Sequence, residues 1–555
     1  MQNTSQVASA LREVAALLEF SKAPQFKVKA YRRAVEVVNT VGDLAPLVEQ
    51  GKLGDLPGIG PSLSRQIQEL WNTGSSPFLV RLRSEQPEGA SEMVQVDGMT
   101  PRRLRLLVDA LSVRSVDELL AACTAGRVRG LPGFGVRTEA RLLEACERWL
   151  GRGEETPDPT LLSRALERAA GLEQALLEVV PRVQLVGSLR RGEETVRELE
   201  WVVQGDAQLG VRHLSKLRQV LRAEPRAGVA YLSEALTLRL HPATSADWGN
   251  RLVLATGSAA HVASLRELGL ALDVEYASEP ELYASLGLSY VPPELRQGNG
   301  ELGQAARGGF DDLLDSSDIQ GMVHCHTTYS DGKNSIEEMA LAAQALGMKY
   351  LTVTDHSPSA HYANGVSLER LKRQWDEIAA VQERVQIRVL RGTESDILAD
   401  GRLDYPDAVL EQFDVVIASI HARHRMDCSA MTARLIRALS WPIFKIWGHG
   451  LGRILNHRPE IDCDVPAVLD ALAGSRGAIE LNADPHRLDL PPAWIPAARE
   501  RQIPFVISVD AHSTRALGVL QYGTTMARRG GLRRDEVLNT QPAARFAELV
   551  RPTLT

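Results

Sequence analysis

The chain has 555 residues, of which 44% are hydrophobic and 24% charged, with a formal net charge of −7. This length exceeds what one hydrophobic core supports, so we expect several domains, and the composition excludes a disordered or low-complexity chain. The N-terminal segment lacks a basic start followed by an apolar run, and no uninterrupted apolar stretch is long enough to span a bilayer. We therefore expect a cytoplasmic protein whose five cysteines are reduced.

Three similar glycine turns interrupt the first domains, and each precedes a run that favours a helix. Glycine permits positive φ and close backbone approach, and the following helix offers free N–H groups to a phosphate oxygen. The turns resemble helix-hairpin-helix motifs, which implies that their glycines bind the DNA backbone: Gly58, Gly60, Gly98, Gly133 and Gly135. Two basic groups accompany them, Lys22, Lys27, Lys29, Arg32 and Arg33, and Arg102, Arg103 and Arg105. A solvated helix face would also account for these charges.

A Gly/Pro/Glu-rich stretch marks a domain boundary near residue 155. Beyond it, β-prone runs at 183–186, 199–203 and 235–243 predict three strands, and 303–320 has the acidic composition of a connector. We expect helical domains at 1–80 and 81–155, a strand-containing domain at 156–245, a smaller domain at 246–305, a linker at 306–320 and a C-terminal domain at 321–555.

From residue 321 onward, short buried-strand candidates alternate with helical stretches, which predicts a βα barrel with parallel strands. The carboxyl ends of such strands meet on one face, so metal-ligating side chains at the strand ends would line one pocket. The strand-end candidates are His324, His326, Asp355, His356, Glu394, His421, His449, Asp510 and His512. Imidazoles and carboxylates suit Zn, Mn or Fe, and their number predicts two or three ions. The histidines without this placement are interpreted as ordinary ones: His361, His424, His457 and His486.

Eight of these candidates, all except Asp355, together with Asp331 resemble the ligand set of the PHP (polymerase and histidinol phosphatase) domain. The resemblance implies a distorted barrel with three metal ions. It assigns the ligands as follows: His324, His326, Glu394 and Asp510 to one ion, Glu394 as a bridge to a second ion held by His421 and His449, and Asp331, His356 and His512 to a third. Arg423 and Arg453 stand near predicted ligands and could neutralise phosphate oxygens, or could be ordinary surface arginines.

The region before the barrel resembles a bacterial family X DNA polymerase, in which a helix-hairpin-helix region, a nucleotidyltransferase palm and a thumb precede a PHP domain. The motifs that carry the resemblance are the run Gly-Ser-Leu-Arg-Arg-Gly at 187–192, Thr256-Gly257-Ser258 with His261, and PPELRQGNGE from Pro292. The family implies that Gly187, Ser188, Arg191, Gly257 and Ser258 bind a nucleotide. The expected fold class is therefore multidomain α+β and α/β, with 156–245 as palm and 246–305 as thumb.

The palm motif departs from the family pattern at its catalytic carboxylates. Glu198 and Glu200 replace an Asp-x-Asp pair, and Thr237 replaces a third Asp. Two-metal nucleotidyl transfer needs carboxylates at a fixed reach, so we expect a weakened polymerase that uses Mg or Mn and favours Mn. Alternatively, the glutamates are only polar positions on a half-buried strand. Gln66 replaces the Schiff-base lysine of family members with lyase activity, so no lyase is expected.

Our leading hypothesis is a DNA repair protein whose PHP domain, with a Mn or Zn cluster, is a metal-dependent 3′–5′ exonuclease. Cleavage beside abasic sites could accompany it. Three alternatives remain open: retained gap-filling polymerisation, a DNA-end-binding scaffold with a degenerate polymerase half, and a PHP small-molecule phosphatase. The expected partners are gapped or recessed 3′ DNA ends and, if the palm is active, deoxynucleotide triphosphates, with the protein at the nucleoid and not at a membrane.

Overall fold

The computed structural model describes residues 4–21, 23–41, 44, 47–48, 51–56, 58–85, 89–94, 96, 98–150, 158–232, 236–271 and 273–554. The chain divides into two compact units, Met1–Pro157 (unit 1) and Asp158–Thr555 (unit 2). Several predicted features lie outside the described residues: the boundary near residue 155, Lys22 and Ala235. Across the described part of the chain, no helix combines the length and apolar character needed to cross a membrane.

Unit 1 is helical where it is described. Its helices α1 to α8 are Thr4–Phe20, Gln25–Val41, Pro61–Thr73, Pro77–Ser84, Ala90–Met93, Pro101–Leu111, Val116–Thr124 and Val136–Leu150. They form two hydrophobic cores, one around Leu11, Val28 and Ile67 and one around Leu104 and Leu119. Each core joins amphipathic helices that could not bury their apolar faces alone.

The three glycine turns of unit 1 share one backbone geometry. Gly58, Gly98 and Gly133 have φ of 86°, 79° and 83°, which an L side chain rarely adopts. In each turn the next residue's amide donates to the carbonyl three residues earlier, at 3.0 Å. A Cβ at Gly98 or Gly133 would meet no atom within 4 Å, whereas at Gly58 it would meet the side chain of Arg33. The apices at Gly98 and Gly133 therefore face open space, and a basic residue lies beside that of Gly58.

The first part of unit 2 is an α+β region with a five-stranded sheet. Its elements are β1 Thr160–Leu161, α9 Leu162–Leu177, β2 Val183–Val186, α10 Gly187–Arg190, β3 Thr195–Val196, β4 Glu198–Gln204, α11 Ala207–Leu214, β5 Val220–Glu224, β6 Val229–Leu232 and β7 Thr237–Ala243. The strand order is β2-β4-β7-β6-β5. Strands β4 and β7 are parallel, with Glu198 opposite Thr237, and this register brings two of the predicted catalytic positions side by side.

Four short helices follow the sheet: α12 Trp248–Thr256, α13 Ala259–Glu267, α14 Glu279–Ser285 and α15 Glu301–Ala305. A buried carboxylate ties them to the sheet region. Glu279 accepts hydrogen bonds from Arg190 at 2.6 and 2.9 Å and from Arg296 at 2.5 Å. Burial opposes ionisation of Glu279, but the two guanidinium groups outweigh it and lower its pKa below the usual range.

The predicted βα barrel is confirmed. Seven parallel strands close in the order β10-β11-β12-β13-β14-β8-β9. These strands are β8 Gly321–Cys325, β9 Tyr350–Val353, β10 Arg388–Asp396, β11 Val415–Ser419, β12 Lys445–Trp447, β13 Gly477–Asn482 and β14 Phe505–Ala511. The helices around them are α16 Ile336–Ala345, α17 Leu368–Gln382, α18 Asp407–Leu410, α19 Cys428–Leu439, α20 Val465–Ala473, α21 Ile495–Glu500, α22 Leu520–Arg529 and α23 Ala543–Leu549.

The segment 306–320, predicted as a linker, packs against the barrel. Leu314 is fully buried in the barrel's outer core, and its amide donates to the carbonyl of Leu532 at 3.0 Å. The sheet region also contacts the barrel through charges. Glu193 accepts from Arg529 at 2.6 Å, and Glu194 accepts from Arg529 and Arg453 at 3.0 Å each. These buried contacts hold the sheet region and the barrel together in unit 2.

Candidate metal centre

The nine predicted metal ligands meet at the carboxyl ends of the barrel strands. Their backbones are strained at three positions, because His324, His449 and Asp510 have φ of 66°, 26° and 47°. Non-glycine residues occupy this region rarely, and such strain gathers at functional sites. Most of the set is buried, whereas Asp331 and His512 keep about a third of their side-chain surface exposed, at 34% and 38%. The cluster therefore opens to solvent on the side of Asp331 and His512.

Glu394 is the centre of the cluster. Its Oε2 lies 2.9 Å from Nδ1 of His356 and 3.3 Å from Nε2 of His324. Its Oε1 lies 2.9 Å from Nε2 of His449 and 3.1 Å from Nε2 of His421. The two oxygens therefore face different histidines, an arrangement in which one carboxylate can bridge two ions.

Three groups within the cluster could each hold an ion, because their ligand atoms lie within 4.8 Å of one another: His326 with Asp331, His356 and His512; His324 with His326 and Asp510; and His356 with Glu394 and His421. These groups contain eight of the nine predicted ligands. The ninth, His449, contacts Glu394 at 2.9 Å. His326 and His356 each belong to two groups. The three candidate ion sites therefore share more ligands than the family assignment implies.

The donor chemistry fits divalent metal ions. Among the described residues, both ring nitrogens of His326 and Nδ1 of His449 are buried without a hydrogen-bond partner, which is costly unless something else binds them. Burial and the neighbouring imidazoles of His356 and His512 lower the pKa of His326 to about 3, so its ring is neutral, as a ligand must be. Burial raises the pKa of Asp331, but the His512 hydrogen bond and nearby imidazoles outweigh it and lower that pKa to about 2.

Two carboxylates that the sequence analysis missed orient these ligands. Glu480, fully buried on β13, accepts from Nδ1 of His324 at 2.5 Å and also from the backbone amide of His449. Asp396, at the end of β10, lies 2.9 Å from Nδ1 of His421. Such bonds fix which ring nitrogen faces a metal. In the sequence, both residues look like ordinary positions on buried strands. Only the position of Glu480 within the predicted strand AIELN, close to its carboxyl end, could have drawn attention to it.

The strand-end candidate Asp355 has a different role. Its oxygens accept from the amide and hydroxyl of Thr327 at 2.7 and 2.6 Å, from Ser330 at 2.5 Å and from Gln374 at 2.6 Å. These donors occupy both oxygens, and Asp355 belongs to none of the three groups found among the described residues. It instead anchors the loop that carries Asp331.

Arg453 fits neither sequence interpretation, that of a phosphate-binding residue or that of an ordinary surface arginine. Its guanidinium is buried and donates to Glu194 at 3.0 Å, to the carbonyl of Arg487 at 2.8 Å and to the carbonyl of Leu488. These acceptors leave it no open face, so Arg453 joins the sheet region to the loop after β13. Arg423, by contrast, is exposed.

The predicted palm carboxylates contact basic side chains of the neighbouring strand. Glu198 lies 3.4 Å from Arg239, and Glu200 lies 2.9 Å from His241, both partners on the adjacent strand β7. Thr237 faces Glu198 across the same register. Among the described residues, no candidate metal group falls in this region. Each glutamate thus already has a side-chain partner within the sheet region.

The predicted nucleotide-binding residues form two helix starts. Gly187 has φ of 69°, and a Cβ there would lie 2.2 Å from Oε1 of Glu200. Arg191 donates to the carbonyl of Thr256 at 2.8 Å, and Ser258 caps α13 by accepting from the amide of His261 at 3.1 Å. The remaining members, Ser188 and Gly257, lie at the same two helix starts. The turn 187–190 and the start of α13 are therefore adjacent.

Comparison with known proteins identifies the parts of this architecture. Family models match for a helix-hairpin-helix domain at residues 2–76, a SAM-like helix-hairpin-helix tandem at 90–148 and a PHP domain at 323–482. Two relatives match a smaller share of this chain. A probable phosphatase of Aeromonas hydrophila is 26% identical over 40% of this chain and 90% of its own, and one of Caldicellulosiruptor bescii is 32% identical over 29% of this chain and 64% of its own.

One relative covers the whole architecture. DNA polymerase/3′-5′ exonuclease PolX of Bacillus subtilis is 32% identical over 560 residues, or 96% of each chain. The order of the matched domains is also the one that the sequence resemblance implied. The chain is therefore an enzyme that belongs to the bacterial family X DNA polymerases with a C-terminal PHP domain.

Proposed function

We propose that this protein is a DNA repair enzyme whose barrel removes nucleotides from 3′ DNA ends as a metal-dependent exonuclease. The observation that carries the proposal is the convergence of nine candidate ligands into one cluster centred on Glu394, with buried imidazole nitrogens that have no hydrogen-bond partner among the described residues. Cleavage beside abasic sites could use the same centre.

Manganese or zinc suits the donor set of the barrel, because imidazole and carboxylate ligands are combined in it. The residues that would hold the ions are His324, His326, Asp331, His356, Glu394, His421, His449, Asp510 and His512. Divalent ions at such a site lower the pKa of water and stabilise the attacking and leaving oxygens of a phosphodiester. Glu480 and Asp396 keep His324 and His421 in the required tautomer, and Asp355 holds the loop of Asp331 in place.

DNA binding is the role of unit 1. The turn apices at Gly98 and Gly133 face open space just before helix starts, where backbone amides can bind phosphate oxygens without regard to base sequence. Gapped DNA and recessed 3′ ends are the expected ligands, and a cytoplasmic location at the nucleoid follows from them. The glycines proposed to approach the backbone are Gly58, Gly60, Gly98, Gly133 and Gly135.

A weak gap-filling polymerase activity is the second proposed function, favoured by family membership. Glu198 and Glu200 would hold Mg or Mn in place of their present contacts with Arg239 and His241, which lie 3.4 and 2.9 Å away. Thr237 supplies no charge to activate a primer hydroxyl. Gly187, Ser188, Arg191, Gly257 and Ser258 would bind the deoxynucleotide triphosphate.

The test compares substrates in the presence of Mn²⁺. A 5′-labelled primer in gapped DNA, without nucleotides, should shorten by single nucleotides, and a chelator should stop the reaction. Hydrolysis of p-nitrophenyl phosphate in preference to DNA would instead identify a small-molecule phosphatase. DNA binding with neither hydrolysis nor extension would identify a scaffold. Primer lengthening after addition of all four deoxynucleotides would establish the polymerase activity.

A further inference from the structure

Arg487 lies beside the metal centre without the partners that a buried arginine usually has. It belongs to the loop that follows β13, and 20% of its side chain is exposed. Its Nε lies 3.6 Å from Oδ2 of Asp510, which is too far for a hydrogen bond. Its Nη1 is buried, and no described residue accepts a hydrogen bond from it. An unpartnered guanidinium nitrogen is costly to bury, so a ligand that completes its hydrogen bonds is expected.

The charge of the site indicates which ligand this is. Asp510 is the only acidic group in ion-pair distance of Arg487 among the described residues, and it is also a candidate metal ligand. An aspartate that binds a metal ion has little charge left to offer an arginine. Bound divalent ions would add positive charge beside Arg487, which favours an anion at this position. Phosphate oxygens match the N–H donors that lie in the plane of a guanidinium group.

The protein holds the Arg487 loop in a fixed position. Leu488, the next residue, has φ of 49°, a conformation that costs free energy for a non-glycine residue. Arg453 donates to the carbonyls of Arg487 and Leu488, and its own position is set by Glu194 at 3.0 Å. The amide of Arg453 also donates to Asp489 in the same loop, at 3.3 Å. The sheet region of unit 2 thus braces the backbone that presents Arg487 to the metal centre.

We infer that Arg487 is a substrate-binding residue that contacts a non-bridging oxygen of the phosphate at the metal centre, and that the Glu194–Arg453 pair positions it. This inference deepens the proposed nuclease function and rests on it for the identity of the substrate as DNA. The phosphate chemistry alone does not depend on DNA.

The experiment compares wild type, Arg487→Ala, Arg487→Lys and a charge-matched control, Arg501→Ala. Arg501 lies just beyond α21 in the same barrel and pairs with Asp470, away from the centre. Three quantities are measured on Mn²⁺-loaded protein: metal content, calorimetric affinity for inorganic phosphate, and the single-turnover rate on a 5′-labelled primer. Guanidinium chloride is then added at millimolar concentration to each variant.

Arg487→Ala should keep the wild-type metal content, bind phosphate at least tenfold more weakly and cleave DNA about 100-fold more slowly, the usual effect of losing one transition-state donor. Arg487→Lys should be intermediate, guanidinium should restore part of the rate to Arg487→Ala, and Arg501→Ala should match wild type. Wild-type phosphate affinity and cleavage in Arg487→Ala would overturn the inference. So would a loss that accompanies metal loss and resists rescue. If wild type binds phosphate through Arg487 but leaves DNA intact, the nuclease proposal fails and the inference stands.

Discussion

Glu480→Gln should weaken metal binding without removing a ligand. Glu480 is fully buried and accepts from Nδ1 of His324 at 2.5 Å, from the amide of His449, and from Nδ2 of Asn482 at 3.2 Å. Glutamine has nearly the same shape as glutamate, but an NH₂ donor replaces one of the two acceptor oxygens. One of the three groups that donate to Glu480 would then face another donor. The ring of His324 would lose the charged bond that leaves its Nε2 free for a metal.

The expected cost follows from the role of this carboxylate. Loss of such an outer partner typically lowers metal affinity by about 10- to 100-fold, which corresponds to about 1.4 to 2.7 kcal/mol. Metal-free protein would be titrated with Mn²⁺ by calorimetry, with Glu338→Gln as the control, because Glu338 is an exposed helix-capping residue of the same barrel. An Mn²⁺ affinity within twofold of wild type would refute the reasoning.

Three further predictions concern other parts of the chain. Glu279→Gln should lower the unfolding free energy of unit 2 by about 3 to 5 kcal/mol at pH 7 in urea denaturation, because Arg190 and Arg296 lose their buried anion. Since the folded pKa of Glu279 is lowered, its stabilisation is present above its usual pKa of about 4.3 and fades as pH falls through the folded value, so the two proteins should converge in acid. Glu198→Ala should abolish any Mn²⁺-dependent primer extension on gels while shortening continues; unchanged extension would exclude a palm metal site. Gly133→Val should weaken DNA binding about tenfold in fluorescence anisotropy, since its φ is 83° and the side chain would occupy the open apex; wild-type affinity would count against this turn as a DNA contact.

The barrel and its strand-end ligands could be predicted because short apolar runs alternate with helical stretches along the sequence. Each strand-end ligand follows a short apolar run, and closure of the parallel strands brings the ends of these runs together. Asp331 lies on a loop and was predicted from the family resemblance. The orienting roles of Glu480 and Asp396 could not be predicted in this way. A buried carboxylate on a strand can be identified as an orienting group only when the imidazole that it contacts is known. The partner of Glu480 is His324, 156 positions away in the sequence.

Arginines were the hardest residues to interpret from sequence. Arg453 stands near a predicted ligand in the sequence, yet the structure gives it a carboxylate 259 positions earlier in the chain. Arg487 had no predicted role, yet one of its buried nitrogens has no hydrogen-bond partner among the described residues. A long flexible cation can reach many partners, so its role depends on tertiary packing that no local pattern encodes. The contacts of Glu198 with Arg239 and of Glu200 with His241 were missed for the same reason, because they depend on the register of β4 and β7.

The central claim is that the barrel centre cleaves DNA from the 3′ end. The most direct measurement follows a 5′-labelled primer in gapped DNA with Mn²⁺ and no nucleotides, comparing wild type, His326→Ala and Glu198→Ala. His326 belongs to two of the three candidate metal groups, so its loss should stop shortening, whereas Glu198→Ala should shorten the primer as wild type does. Shortening by His326→Ala at the wild-type rate would contradict the account.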